Sequence, residues 1–314
     1  MKPREWRERR FVEGSAALRR YLAAIGRPDA LPPAGEYYVC PCCLRVHGRE
    51  ALNDGALTIE DVPPKSVGGR WLVLTCKQCN SAAGTRLDEQ ARLREEQLDF
   101  HAGRAPDRAL AAEIMVGEST TRGDVRHVGD ALLLFVDPER SDPRQHAEMT
   151  KTLDHCAMGD RPGGLMGFEL AKRVHVVRAR LSWLRAAYLV TFAALGLRYI
   201  CMPYLPPLRA QLADPDATLL PPLALDDPDA AADRRDLLVV QEPYELQRSL
   251  AVVLGRYTVF LPGLEDPQPF MSLASALSRA PRHLTSPGAP GRKQIPWRGK
   301  RIPWPTRPMY ALDQ

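Results

Sequence analysis

Apolar residues recur at helical spacing in the first part of the chain. Phe11, Ala16, Leu18, Tyr21, Leu22 and Ile25 fall among Arg and Glu, which predicts an amphipathic helix over residues 5–25. Gly26-Arg-Pro28 ends it, and Pro32-Pro33 reads as a linker. Helical spacing returns from Leu87 to Leu98. The period then shortens to two. Ala112–Val116, Asp124–Val128 and Ala131–Val136 read as strands, with turns at Gly117, Gly123 and Gly129-Asp130, which suggests a small antiparallel sheet. A helix is expected over Arg144–Cys156, then strands over Gly167–Lys172 and Val174–Val177. The clearest helix is Leu181–Tyr199, where Leu184, Tyr188, Phe192 and Leu195 share one stripe.

Beyond Cys201 the chain is rich in Pro and Asp as far as Arg235, the pattern of a linker or long loop. Asp236–Gln241, Ser249–Leu254 and Tyr257–Leu261 read as strands of a last sheet. From Pro267 onward Pro, Gly and Arg dominate, which suggests an extended tail. That tail repeats a tripeptide, Ile295-Pro-Trp297 and Ile302-Pro-Trp304, able to stack on bases or to dock on the protein's own surface or on a partner. The pattern divides the chain into 1–34 (helix and linker), 35–105 (cysteine-bearing module), 106–210 (α+β, with the long helix), 211–235 (linker), 236–265 (strands) and 266–314 (basic tail).

With 314 residues the chain can bury a sizeable core. A net charge of +5 permits a polyanionic partner without requiring one. The most apolar helical run has twelve residues between Arg185 and Arg198, too few to cross a bilayer. The N-terminal Met1–Arg10 is charged and carries no apolar signal core, so the expectation is a cytoplasmic protein without membrane contact. No HExxH spacing occurs, neither Gly68-Gly69 nor Gly163-Gly164 is followed by the Lys-Ser or Lys-Thr of a phosphate loop, and no Gly-x-Ser-x-Gly elbow is present.

Five of the seven cysteines lie between residues 40 and 79. Such clustering favours metal binding in a reducing compartment over a disulfide framework. Cys40-Pro-Cys-Cys43 and Cys76-Lys-Gln-Cys79 are two CxxC turns. Each can offer two thiolates to one tetrahedral Zn²⁺, and a closed four-sulfur site is structural. Cys42 makes Cys40-x-Cys42 an alternative, although CxxC geometry favours Cys43. Cys156 and Cys201 read as core thiols.

The residues between the pairs carry a resemblance. Glu60-Asp61-Val-Pro-Pro64, Gly68-Gly69 and Leu74-Thr-Cys-Lys-Gln-Cys-Asn80, followed by Gly84, resemble an HNH (His-Me finger, ββα-metal) endonuclease of the zinc-knuckle kind. The resemblance covers about residues 37–90. It implies an N-terminal zinc-stabilised treble-clef/ββα module, and with the pattern above the expected chain is α+β, this module followed by a body with small antiparallel sheets and one long buried helix. It also implies that Glu60 and Asn80 bind a catalytic Mg²⁺ or Mn²⁺. The family's general-base His is replaced here by Asp61, a weaker base unless its environment raises its pKa. Asp61 is then either that weaker base or a third metal ligand. His47 is the nearest histidine along the chain, and an exposed loop residue is its ordinary reading. Lys65, Arg70, Lys77 and Arg86 surround the acidic centre and suit phosphate contacts. The expected activity is metal-dependent hydrolysis of DNA, with RNA as a possible substrate, in a setting such as bacterial defence. The alternative is a catalytically impaired zinc module that binds nucleic acid or a protein partner.

Overall fold

The computed structural model describes residues 1–105, 107–129, 131–157, 166–227, 230–265, 267–279 and 298–308. The chain is mixed helix and sheet, and every sheet is small and antiparallel. It forms two compact units, one of residues 1–92 and 176–314 and the other of residues 93–175.

In the first unit, helix α1 (Pro3–Ala24) opens the chain. Strands β1 (Tyr37–Val39) and β2 (Val46–Gly48) form a short hairpin that carries the first CxxC turn. A second hairpin, β3 (Leu57–Val62) and β4 (Arg70–Cys76), leads directly into helix α2 (Lys77–Ala83). Helix α1 is part of this body. Its Phe11 is fully buried and stacks on Tyr38 with ring centroids 6.2 Å apart, and Ser15 Oγ accepts from the Tyr37 amide. The separate N-terminal piece expected from Pro32-Pro33 is therefore not what folds. The apolar stripe of the helix needs a surface to cover, and the cysteine module supplies it.

A wide helical turn (Gly84–Asp88) joins α2 to α3 (Glu89–His101). The second unit takes up the chain within α3. Strands β5 (Leu110–Val116), β6 (Ser119–Val128) and β7 (Ala131–Val136) form a meander, helix α4 (Pro143–Ala157) follows, and β8 (Met166–Leu170) pairs with β5 to give the order β7-β6-β5-β8. The period-two reading holds here, since Ala112, Ile114 and Val116 are buried while the residues between them are exposed. Gly117 and Gly129 are turns at positive φ, as expected. Gly123 is not a turn. It lies inside β6 opposite Val136, and a Cβ there would stand 2.1 Å from the Phe135 carbonyl oxygen. The glycine permits close strand approach.

The chain returns to the first unit with α5 (Val176–Leu195), whose side chains are buried almost all round from Ala179 to Ala194. A strand is expected over Val174–Val177, but Val176 and Val177 are the exposed first turn of this helix. Two short helices, α6 (Leu197–Ile200) and α7 (Pro206–Ala213), precede strands β9 (Ala224–Asp226), β10 (Arg235–Glu242), β11 (Leu250–Leu254) and β12 (Tyr257–Leu261). Helix α8 (Phe270–Arg279) and strand β13 (Arg298–Ile302) complete the unit, with sheet order β13-β10-β11-β12-β9. Trp183 of α5 stacks on Tyr257 at 4.4 Å between centroids. The core runs without a break from Trp6 through the hairpins and α5 to Leu277.

Two stretches with the composition of a linker and a tail thus contain built structure among the described residues. The Pro- and Asp-rich segment is closed by buried Gln211. Its Nε2 donates to the Asp214 and Ala217 carbonyls, and its Oε1 accepts from the Leu219 and Leu220 amides. One side chain satisfies four backbone groups that a loop of this composition leaves unpaired. In the tail, α8 buries Phe270, Leu273, Ala276 and Leu277, and β13 pairs with β10. Residues 280–297, including Trp297, lie outside the described residues.

Candidate metal centre and the acidic hairpin

The two CxxC turns come together because β4 runs back beside the first hairpin. Tyr38 Oη donates to the Leu74 carbonyl at 3.0 Å, and the Cys76 amide donates to Cys40 Sγ at 3.3 Å. Cys40, Cys43, Cys76 and Cys79 place their sulfur atoms within 4.8 Å of one another, and Cys43 Sγ and Cys76 Sγ are 3.8 Å apart. A tetrahedral Zn–S length of about 2.3 Å gives a sulfur–sulfur edge of about 3.8 Å. The donor set and its spacing therefore fit a metal ion such as zinc. Cys42 is not one of the four. Among the described residues this is the one group of three or more His, Cys, Asp or Glu side chains able to hold a metal ion.

The acidic turn follows at the end of β3. Gly69 closes it by donating its amide to the Pro64 carbonyl at 3.1 Å. A Cβ on Gly69 would lie 1.4 Å from the Pro63 carbonyl oxygen, so the second position of the Gly-Gly pair admits no side chain. The register shifts between Glu60, which faces Val73, and Asp61, which faces Trp71. Such a bulge re-aims the side chains beside it.

Glu60 points inward. It is 3% exposed, and Arg185 of α5, 4% exposed, grips it at both oxygens: Nη1 donates to Oε1 at 2.9 Å and Nη2 to Oε2 at 2.6 Å. Thr75 Oγ1 donates to Oε2 at 2.8 Å. Burying a carboxylate in this way requires a paired charge and satisfied lone pairs, and both are present. Asn80 is also engaged, its Nδ2 donating to Thr58 Oγ1 at 2.9 Å and to the Ile59 carbonyl at 3.0 Å, which ties α2 to β3. The acid expected to bind a catalytic cation is thus occupied by protein partners, whereas the bonds of Asn80 run from Nδ2 and not from the Oδ1 that would ligate a cation. Glu60 meets a guanidinium where a cation would sit, so this acid does not fit a divalent-ion site.

Asp61 points outward into a cleft of about 730 Å³. Lys65, Arg70, Trp71, Asp233, Arg235 and Trp304 also line it. Partial burial raises the Asp61 pKa above the ordinary carboxylate value, and the neighbouring Glu60 raises it further, while Lys65 opposes both. Of the four basic residues expected near the acidic centre, Lys65 and Arg70 reach this cleft. Lys77 is exposed at the start of α2 and does not line it. Arg86 donates to the Ala213 carbonyl at 3.2 Å and lies 3.8 Å from Asp214 and 3.6 Å from Asp216. His47 is in β2 opposite Tyr38, so it is not a loop residue.

Sequence reasoning missed Arg185 and Arg235, and it singled out Trp304 for base stacking or docking without placing it at this cleft. Arg185 had a signal, because it is the one charge in the apolar run from Leu181 to Leu197, where a buried partner is the usual explanation. Arg235 had none, since a strand start says nothing about which surface it borders, and the repeat that marked Trp304 for stacking or docking could not name its surface. Comparison of the chain with protein-family models, with curated proteins and with solved structures finds no match in any of the three.

Proposed function

We propose that this chain binds nucleic acid through the cleft outside the acidic hairpin, on a zinc-stabilised module of HNH-like, treble-clef build that assembles no catalytic cation site. The observation that carries the reading is the division of the two adjacent acids. Glu60 is sealed inward by Arg185 and Thr75, and Asp61 alone faces the cleft that Lys65, Arg70 and Arg235 line. Cations around a cleft of this size suit the phosphates of a polynucleotide. The chain's net charge of +5 is in keeping with such a partner.

One observation favours hydrolysis as a second reading. The Asp61 pKa is raised, which moves a carboxylate toward the range of a useful general base. DNA cleavage would then need a metal or a water-activating group other than the Glu60–Asn80 pair.

Purified protein incubated with plasmid DNA and Mg²⁺ or Mn²⁺ separates the two. Strong chelators are kept out, because they would also strip a structural zinc. Binding without nicking is expected, with micromolar affinity that falls as salt rises. Nicking lost in Asp61→Ala would establish the hydrolytic reading. No binding to DNA or RNA at low salt would end both.

A further inference from the structure

The cleft is lined by more than a phosphate site needs. Beside its cations stand two indoles, from distant parts of the chain. Trp71 comes from β4, is 37% exposed and rests edge-on against Trp6 with centroids 5.9 Å apart. Trp304 comes from the segment just past β13, which pairing with β10 holds at the sheet edge. Trp304 is half-buried, and Pro305 and Thr306 beside it also line the cleft. The two carboxylates, Asp61 and Asp233, offer acceptors that phosphate oxygens cannot use. A volume of about 730 Å³ lies in the range of small-ligand pockets and is far smaller than a duplex groove.

From this we infer that the cleft captures an unpaired nucleobase, so that the preferred partner is single-stranded nucleic acid. The inference deepens the nucleic-acid reading above and rests on it. The indoles supply π-faces for a base. The carboxylates accept from the exocyclic amines that cytosine, adenine and guanine carry. Lys65, Arg70 and Arg235 hold the adjoining phosphates. Base stacking on aromatic side chains tolerates any sequence and needs the base out of the helix. A paired base is already stacked and cannot enter a cleft of this size.

The test measures fluorescence anisotropy of the full chain with three labelled probes at low salt. They are a mixed-sequence 20-nucleotide strand, the same strand as a duplex, and an abasic strand of equal charge. The intact single strand is expected to bind at least tenfold more tightly than the other two. Trp304→Ala should weaken the single strand about 5- to 150-fold and leave duplex and abasic binding unchanged. Trp304→Phe should keep most of the affinity. A strand carrying 2-aminopurine should lose fluorescence on wild-type protein, a stacking signal that does not depend on any variant's folding. Equal affinity for the abasic and intact strands, or no quenching of 2-aminopurine, overturns the base-capture inference while the phosphate cleft stands. Failure of all three probes to bind removes the nucleic-acid reading itself.

Discussion

The inner and outer faces of the β3–β4 hairpin use the same kind of residue for opposite ends. On the inner face Glu60 is stripped of water, held at both oxygens by Arg185 and fixed again by Thr75. On the outer face Asp61, its neighbour in the chain, opens into a cleft beside Lys65 and Arg70. The inner pair joins the cysteine module to α5 and so to the core. The outer group is left to meet a ligand. Adjacent carboxylates do not form a functional dyad merely because they are adjacent, and here the alternation of side chains along β3 turns one to the fold and the other to the surface.

Metal removal should affect both faces at once and most strongly. A structural Zn²⁺ contributes on the order of 10 kcal/mol. Protein prepared without chelator should contain about one equivalent by atomic emission. Cys76→Ser should release it, with loss of near-UV circular dichroism from the module. Zinc-free protein that melts like the wild type would contradict this assignment of the four cysteines.

The inner face is tested next. Arg185→Ala leaves Glu60 buried without its partner and should cost about 3–5 kcal/mol in chemical denaturation. Replacing the pair together, Glu60→Met with Arg185→Leu, should recover most of that loss, because no buried charge remains. If Arg185→Ala is nearly neutral, Glu60 is not sealed and the cation-binding expectation returns.

The outer face should respond little in stability and clearly in pH. The folded state raises the Asp61 pKa above 3.8, so the folded protein favours the protonated acid. This group's stabilising contribution is complete below that value and is lost as pH rises through the raised folded pKa. Asp61→Asn should therefore flatten this part of the pH–stability curve and leave stability near neutral pH unchanged or slightly higher. Polyanion binding should tighten in the wild type as pH falls through the same window, and should not do so in the variant. Equal pH dependence of binding in both proteins would show that Asp61 does not face the ligand.

The smallest effects separate the cations. Arg70→Ala and Lys65→Ala should each lower the salt slope of binding by about 0.7–0.9 for every phosphate left without its cation. Arg86→Ala should leave it unchanged, because Arg86 is engaged by Asp214 and Asp216.

Much of the fold was legible where the signal was local. The two CxxC turns, the Gly-Gly turn, the strands of the last sheet and the buried stripe of α5 each follow from spacing within a few residues. The expected boundaries at residues 106 and 210 did not match the structure's division at 93–175, because composition along the chain cannot show that α5 returns to the N-terminal module. The Pro- and Asp-rich segment looked like a linker because its order comes from contacts that composition does not show, the four bonds of buried Gln211 and the pairing of β9 with β12. The candidate site was half legible. Its cysteines and Asp61 stand out in the sequence, whereas the partner that changes the meaning of Glu60 lies 125 residues away.

By itself, then, the sequence determined the chemistry on offer, which is four thiols paired at knuckle spacing, two adjacent acids and a basic surround. Those choices depend on short-range geometry that a turn or a strand imposes. Only the tertiary structure decided how each acid is used. A carboxylate's role follows from its solvent exposure and its nearest opposite charge, and both were set when α5 brought Arg185 against Glu60 and the C-terminal strand brought Trp304 to the cleft over Asp61.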